Sequence, residues 1–229
     1  MRSFAIVPAG GHSTRMGRPK LSLPVGGRTV LESLVLALKR GGVERVLVVV
    51  GPHVPELAAI TEAAGAEALQ LTRDTSDMRA TVVAGLDHIA ATDRPAPDDA
   101  WLLAPADHPG VSATLVIDLL VAGAQSAATA VIIPTYNGLR GHPTLIRWRH
   151  AHDIRQLPTG RGINAFLQWP GLEVRELSVT EPGAVSDLDT PEDYARFCSI
   201  TNLVHKAATV ESRVGGESGS LGIREAPFQ

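Results

Sequence analysis

Residues 7–20 read Val7-Pro8-Ala9-Gly10-Gly11-His12-Ser13-Thr14-Arg15-Met16-Gly17-Arg18-Pro19-Lys20, and their types suit them to holding phosphate. Two adjacent glycines follow an apolar run, Phe4-Ala5-Ile6-Val7, that is short enough to be one buried strand. Such a strand empties into a loop with exposed backbone N–H groups, which form a concave nest for anions. Arg15, Arg18 and Lys20 add positive charge. From Met1 to Leu31 there are five cations (Arg2, Arg15, Arg18, Lys20, Arg28) and no acid, Glu32 being the first carboxylate. That asymmetry suggests a polyphosphate. The familiar loops do not fit: a Walker loop needs Lys directly after Gly, whereas Arg18-Pro19 separate Gly17 from Lys20. Gly10-Gly11-His12 breaks the dinucleotide GxGxxG spacing, and a GxSxG nucleophile elbow would end in Gly where Arg15 stands.

Carboxylates at strand ends are the natural complement of such a loop. Nucleotidyl transfer crowds negative charge, which is usually neutralised by Mg²⁺ on one or two acids. Asp107 closes the apolar run Ala100–Pro105, and ligands of parallel α/β sheets bind outside the carboxyl ends of the strands. In Ser186-Asp187-Leu188-Asp189, strand alternation puts Asp187 and Asp189 on one face and Leu188 on the other. Thr190-Pro191-Glu192-Asp193 is a good helix start, with Thr as N-cap and Pro at the first position. Glu192 and Asp193 therefore need only a structural explanation. His150, His152 and Asp153 read as a solvated polar face, because a spacing of two on a helix points the imidazoles apart.

From Ala9 to Lys20 the loop resembles the signature of the MobA-like nucleotidyltransferases, L-A-(A/G)-G-x-S-x-R-M-G-x-x-K, with Pro8 where Leu is usual. The resemblance implies that the loop wraps a nucleoside triphosphate. Pro8, Ala9, Gly10, Gly11 and Ser13 would line the nucleotide, and Arg15 and Lys20 would sit on its phosphates. Ala106-Asp107-His108-Pro109 resembles the family's D-x-P motif, and Asp187-Leu188-Asp189-Thr190-Pro191-Glu192-Asp193 its D-I-D-T-P-E-D. They imply a Mg²⁺ site on Asp107, Asp189 and Asp187, with Arg15, Lys20 and Asp107 catalytic. Asp77-Met78-Arg79-Ala80-Thr81 falls where the family has G-M-x-x-S, which implies nucleotide contacts from Arg79 and Thr81.

Gly141-His142-Pro143 is similar to the G-(H/N)-P of one branch, the molybdenum-cofactor cytidylyltransferases, and implies an acceptor contact from His142. Thr159-Gly160-Arg161-Gly162-Ile163-Asn164 departs from that branch's G-D-x-G-A-R, with Gly160 for the acid and Asn164 for the arginine. The implied function is transfer of an NMP from an NTP to a phosphorylated small molecule such as molybdopterin cofactor, releasing pyrophosphate. For the base, Gly10 leans toward guanine and Gly141-His142-Pro143 toward cytosine; the expectation is CTP over GTP by a narrow margin. The alternatives are a sugar-phosphate nucleotidyltransferase and a non-catalytic nucleotide-binding accessory protein.

The elements that must position these residues follow from periodicity. Arg28–Leu38 has helical spacing, closed by Lys39-Arg40 and Gly41-Gly42. Val46–Val50 is a continuous β-branched run, as in a central parallel strand covered on both faces. Helices are expected over Pro55–Ala64 and Met78–Ala91, a strand over Glu67–Leu71, and a helix from an N-cap at Ser112 to about Ala124. Beyond Ala130–Pro134, a turn at Asn137-Gly138 leads to a second, antiparallel strand over Gly141–Ile146. Helical segments over Arg147–Ile154 and Ile163–Trp169, a strand over Leu172–Val179 and a helix over Pro191–Ser199 complete the pattern. The fold class is α/β: a three-layer Rossmann-like nucleotidyltransferase fold, its mostly parallel sheet covered by helices on both faces.

The chain has 229 residues, a formal net charge of −3 and one cysteine, Cys198. This length suits one domain, expected over 1–204, followed by a flexible Gly/Ser/Glu-rich tail over 205–229. The charge argues against broad nucleic-acid binding, and one cysteine leaves no disulfide within the chain. No signal-peptide pattern or membrane-length apolar stretch is present, so the expected compartment is the cytoplasm and the expected state a monomer or homodimer.

Overall fold

A computed structural model describes residues 1–158 and 160–201. The chain runs β1 (Ser3–Ala9), β2 (Pro24–Val25), β3 (Arg28–Thr29), α1 (Val30–Arg40), β4 (Arg45–Val50), α2 (Glu56–Ala63), β5 (Glu67–Gln70) and α3 (Met78–Asp93). There follow β6 (Ala100–Leu103), α4 (Ala113–Gln125), β7 (Val131–Tyr136), β8 (Leu139–Arg140), β9 (Thr144–Arg147), α5 (Ala151–Arg155), α6 (Ile163–Phe166) and β10 (Val174–Ser178). A last helix, α7, is described over 191–201. The main sheet has the order β10-β7-β9-β6-β1-β4-β5, with β8 paired to β7. β1 pairs parallel with both β4 and β6, whereas β9 is antiparallel to β6 and β7, as the sequence suggested.

The buried strands divide their side chains between two cores because successive residues face opposite sides. Ala5, Val7, Ala9, Val46, Val48 and Val50 pack with α1, α2 and α4. Phe4, Ile6, Leu47 and Val49 pack with α3, α5 and α6 on the other face. Each such side chain, fully buried, contributes about 1.5–3 kcal/mol. This accounts for the unbroken apolar run of β4, since neither of its faces meets water.

Boundaries moved where side-chain chemistry outranks periodicity. Arg28 and Thr29 belong to a short hairpin rather than to α1; Thr29 is the N-cap, accepting from Glu32 N, while Glu32 reaches back to Thr29 N. That capping box holds Thr29 extended and starts the helix at Val30. Arg147, expected in a helix, ends β9 and is buried, 2% exposed, donating to the carbonyls of Thr129, Asp98, Gly123 and Ser126. An arginine that satisfies four carbonyls is fixed by tertiary contacts, which no local pattern reports. Ser112 caps α4 through Leu115 N, and Asn137 and Gly138 both have positive φ in the β7–β8 turn. His150 bonds Asp153 at 2.7 Å. Cys198 is half-buried against the core. No helix among the described residues is long and apolar enough to cross a membrane. Thr159 and the tail expected over 205–229 lie outside the described residues.

Candidate functional site

β1 ends at Ala9 in the middle of the sheet, and its loop opens a cavity of about 390 Å³. The cavity is lined by residues 8–15, Lys20, Leu21, Thr75, Asp77, Met78, Thr81, Pro105, Ala106, Asp107 and Asp189. The loop holds its shape through a single 3₁₀ turn, Thr14–Met16, flanked by Ser13 and Gly17 in left-handed conformations. Met16 and Leu21 are buried in the core, so the residues between them are anchored at both ends. Lys20 N donates to Ser13 Oγ at 3.4 Å, which closes the loop on itself.

Lys20 is where the sequence-predicted groups converge. Its Nζ lies 2.7 Å from Asp107 Oδ2 and 3.0 Å from Asp189 Oδ1, with the side chain only 15% exposed. Arg15 pairs with the other oxygen of Asp189 at 2.8 Å but is 70% exposed, free to follow a ligand. Burial alone would depress the Lys20 pKa; the carboxylates of Asp107 and then Asp189 outweigh it and hold the ammonium above its ordinary 10.5. The two acid segments are tied together by Leu188 N donating to Asp107 O at 3.0 Å. Leu188 is buried, Asp189 faces the cavity, and the exposed Asp187 lies beside His108 rather than among the cavity-lining residues.

The donor set fits a hard divalent cation. Two carboxylates share one cationic group, and Asp107 Oδ1 is buried with no hydrogen-bond partner among the described residues. An orphaned buried carboxylate oxygen is costly unless a cation or water completes it. Asp189 is not consumed by the following helix: Thr190 caps it, its Oγ1 accepting from Asp193 N at 3.2 Å while Thr190 N donates to Asp193.

The residues expected from the sequence to contact a nucleotide divide. Thr81 is buried in the cavity wall, its hydroxyl 2.6 Å from that of Thr75. Arg79 does not join it; its guanidinium donates to Leu157 O at 3.0 Å, across the α5–α6 connection. Asp77, which stands where glycine was expected, caps α3 by accepting from Ala80 N at 2.7 Å. Thr75, Asp77 and Met78 complete the cavity although only Asp77 broke a pattern in the sequence.

His142 lies in a second cavity of about 300 Å³ with Leu103, Ile133, Thr144, Ile163 and Asn164 among its walls. The ring meets His108 edge-on, 5.2 Å between centroids, and His108 follows Asp107 directly. The second cavity thus abuts the acid pair. Burial, then the neighbouring His108, pushes the His142 pKa down to about 4 despite a hydrogen bond to Leu103, and burial also lowers His108. Both rings are neutral at pH 7. The segment that delivers Asp189 docks here by close backbone approach. A Cβ on Gly141 would stand 2.2 Å from Ala184 O, and one on Gly183 would stand 1.8 Å from Gly110 O. Arg161 lines a separate cavity with Trp169, not that of His142.

Comparison with known proteins agrees with this fold. The sequence profile of the MobA-like NTP transferase domain matches residues 5–176. A 2-C-methyl-D-erythritol 4-phosphate cytidylyltransferase of Ralstonia nicotianae is 32% identical over 150 residues, 61% of this chain and 58% of that enzyme, so under two thirds of that relative is spanned. Nicotine blue oxidoreductase of Paenarthrobacter nicotinovorans is 29% identical over 201 residues, 84% of this chain and 94% of that protein. Rv0371c from Mycobacterium tuberculosis H37Rv has the same fold, with a TM-score of 0.71 at 23% identity, covering 87% of this chain and 99% of that one. A complex of that protein with manganese has a TM-score of 0.69 at 21% identity, with the same coverage. By the profile match across most of its length, the chain belongs to the MobA-like NTP transferase domain family.

Proposed function

We propose that this protein transfers a nucleotidyl group from a nucleoside triphosphate, CTP in preference to GTP, to a phosphorylated small molecule, with a divalent cation, Mg²⁺ or Mn²⁺, bound on Asp107 and Asp189. The observation that carries the reading is the placement of Lys20 between those two carboxylates at the mouth of the nucleotide cavity. Arg15, exposed at the rim, and Lys20 hold the triphosphate, while the backbone of Pro8 to Gly11 and the Thr81 wall receive the nucleoside. The cation, held by Asp107 and Asp189, supplies charge neutralisation at the phosphates. An oxygen of the acceptor phosphate forms the new bond to the α-phosphorus, the bond to the bridging oxygen of the β-phosphate breaks, and pyrophosphate leaves. Positioning and electrostatics suffice, with no covalent enzyme intermediate.

The acceptor enters from the His142 side, where neutral imidazoles can accept or donate a hydrogen bond without repelling a cation at the acids. Molybdopterin cofactor is the first acceptor to test, on the strength of Gly141-His142-Pro143. The relative that is 32% identical takes a polyol phosphate by its name, which favours that class as the second. The oxidoreductase relative makes a redox assay the appropriate control. Purified protein is incubated with CTP or GTP, Mg²⁺ or Mn²⁺ and each acceptor, and pyrophosphate is measured. Acceptor-dependent pyrophosphate release supports the reading. Absence of any pyrophosphate release across both nucleotides and both acceptor classes, with dye reduction when an electron donor is supplied, overturns it.

A further inference from the structure

β1, β4 and β5 are neighbouring parallel strands, and the loops beyond their carboxyl ends each deliver one side chain that can ligate a metal to the same point. The groups are His12, His53 and Asp74, whose donor atoms all lie within 4.8 Å of one another. His53 Nδ1 is 2.9 Å from Asp74 Oδ1 and His12 Nε2 is 3.6 Å from Asp74 Oδ2. The other nitrogen of His53, Nε2, sits 3.4 Å from Gly11 O. Donating Nε2–H to a backbone carbonyl is the outer-shell arrangement that fixes the tautomer of a metal-bound histidine, leaving Nδ1 as the ligand. Nδ1 and the Asp74 carboxylate then face each other at 2.9 Å, the placement of two ligands to one ion.

The fold prepares this meeting. A Cβ on Gly51 would come within 2.9 Å of the His53 ring and 3.0 Å of Gly10 Cα, so only glycine lets the ring fold back over the phosphate loop. The two imidazoles are stacked, 3.7 Å between centroids at 11°. One cation shared by both rings and the carboxylate would draw on all three donors at once. Zn–N bonds of about 2.0–2.1 Å place neighbouring tetrahedral donors about 3.3 Å apart. Stacked rings do not both aim a lone pair at one ion, so His12, 56% exposed, would have to turn to ligate.

We propose that His12, His53 and Asp74 form a second metal site, selective for an imidazole-seeking first-row ion such as Zn²⁺ or Co²⁺ and separate from Asp107 and Asp189. Two imidazoles and one carboxylate are the ligands of such ions, whereas Mg²⁺ takes oxygen. An ion there would join the loop of residues 10–17 to the two neighbouring loops, next to the cavity that His12 also lines. Zn²⁺ at this site should therefore rigidify the nucleotide loop.

The site is tested on the full-length protein without nucleotide. Co²⁺ is titrated and its visible absorption recorded, and Zn²⁺ affinity is measured by calorimetry, for the parent and for His53→Ala, Asp74→Asn and Asp107→Asn. Circular dichroism confirms that each variant is folded. The expected result is one high-affinity ion whose Co²⁺ bands show nitrogen ligation, with affinity lowered at least ~10–100-fold in His53→Ala and Asp74→Asn, a loss at least as large as that of an outer-shell partner, and unchanged in Asp107→Asn. No Co²⁺ or Zn²⁺ binding in the parent overturns the proposal, as does binding that survives His53→Ala and Asp74→Asn or is lost in Asp107→Asn. None of these measurements depends on nucleotidyl transfer, so the site and the proposed reaction stand or fall separately.

Discussion

Lys20 Nζ and Asp107 Oδ2 are 2.7 Å apart although 87 positions separate the two residues in the chain. The ammonium thereby occupies the ground between the carboxylates that the proposed cation would take. In the proposed reaction, ligand phosphates would compete with the two acids for the same lysine.

Lys20→Ala should leave the fold intact and lower transfer by roughly 10²–10³-fold, the usual loss when one charge-stabilising group is removed from reacting oxygens. The same variant should bind Mn²⁺ more tightly than the parent without nucleotide, because no ammonium competes for Asp107 and Asp189. Turnover by pyrophosphate release and Mn²⁺ affinity by electron paramagnetic resonance check both halves. Transfer at the parent rate would show that Lys20 does not touch the phosphates.

Asp107→Ala and Asp189→Ala should each abolish divalent-dependent transfer, with the double variant scarcely slower than either, since groups acting together on one ion are not additive. Because Thr190 and Asp193 cap α7 between themselves, Asp189→Ala should melt within a few degrees of the parent. Losses that multiply in the double variant would mean separate roles.

Base choice should respond to Gly10. A Cβ there meets Thr81 Oγ1 at 3.6 Å and Gly51 Cα at 3.9 Å, ordinary contact distances, so Gly10→Ala is compatible with the fold. In competition at equal concentrations CTP should be used in preference to GTP by a small factor, and Gly10→Ala should widen that factor by narrowing the room for a purine. A strong GTP preference in the parent, lost in Gly10→Ala, would reverse the assignment and identify the loop as the selector.

His142 should make folding acid-sensitive. Its pKa falls from 6.5 in the unfolded chain to about 4 in the folded one. Between those values the unfolded state binds more protons, so stability is full above pH 6.5 and declines as pH falls toward 4. The loss reaches about 3 kcal/mol, taking 1.36 kcal/mol per pKa unit. Denaturant unfolding across pH 4–7 should show a shallower decline for His142→Asn than for the parent. Parallel profiles would mean that the ring is not held neutral by burial.

Much of this protein was legible in its residues. The glycine-rich loop after β1 and the positions of Asp107 and Asp189 could be read from local order, because a strand end, a glycine pair and a capped helix start are each built from a few consecutive residues. The alternation that divides β1 and β4 between two cores is equally local, as are the caps at Ser112 and Thr190. What only the tertiary structure decided is the company those residues keep. Lys20 meets Asp107 and Asp189 because β1 and β6 lie side by side and because Gly141 and Gly183 let residues 182–189 dock against the loops. Arg79, placed by sequence at the nucleotide, turned to Leu157 O. Arg147, placed in a helix, was captured by four carbonyls. The pairing of His53 with Asp74 left no trace in spacing. Local order records which groups can do chemistry, but a hydrogen bond between residues tens of positions apart depends on sheet order and backbone approach, and these are set only when the whole core packs.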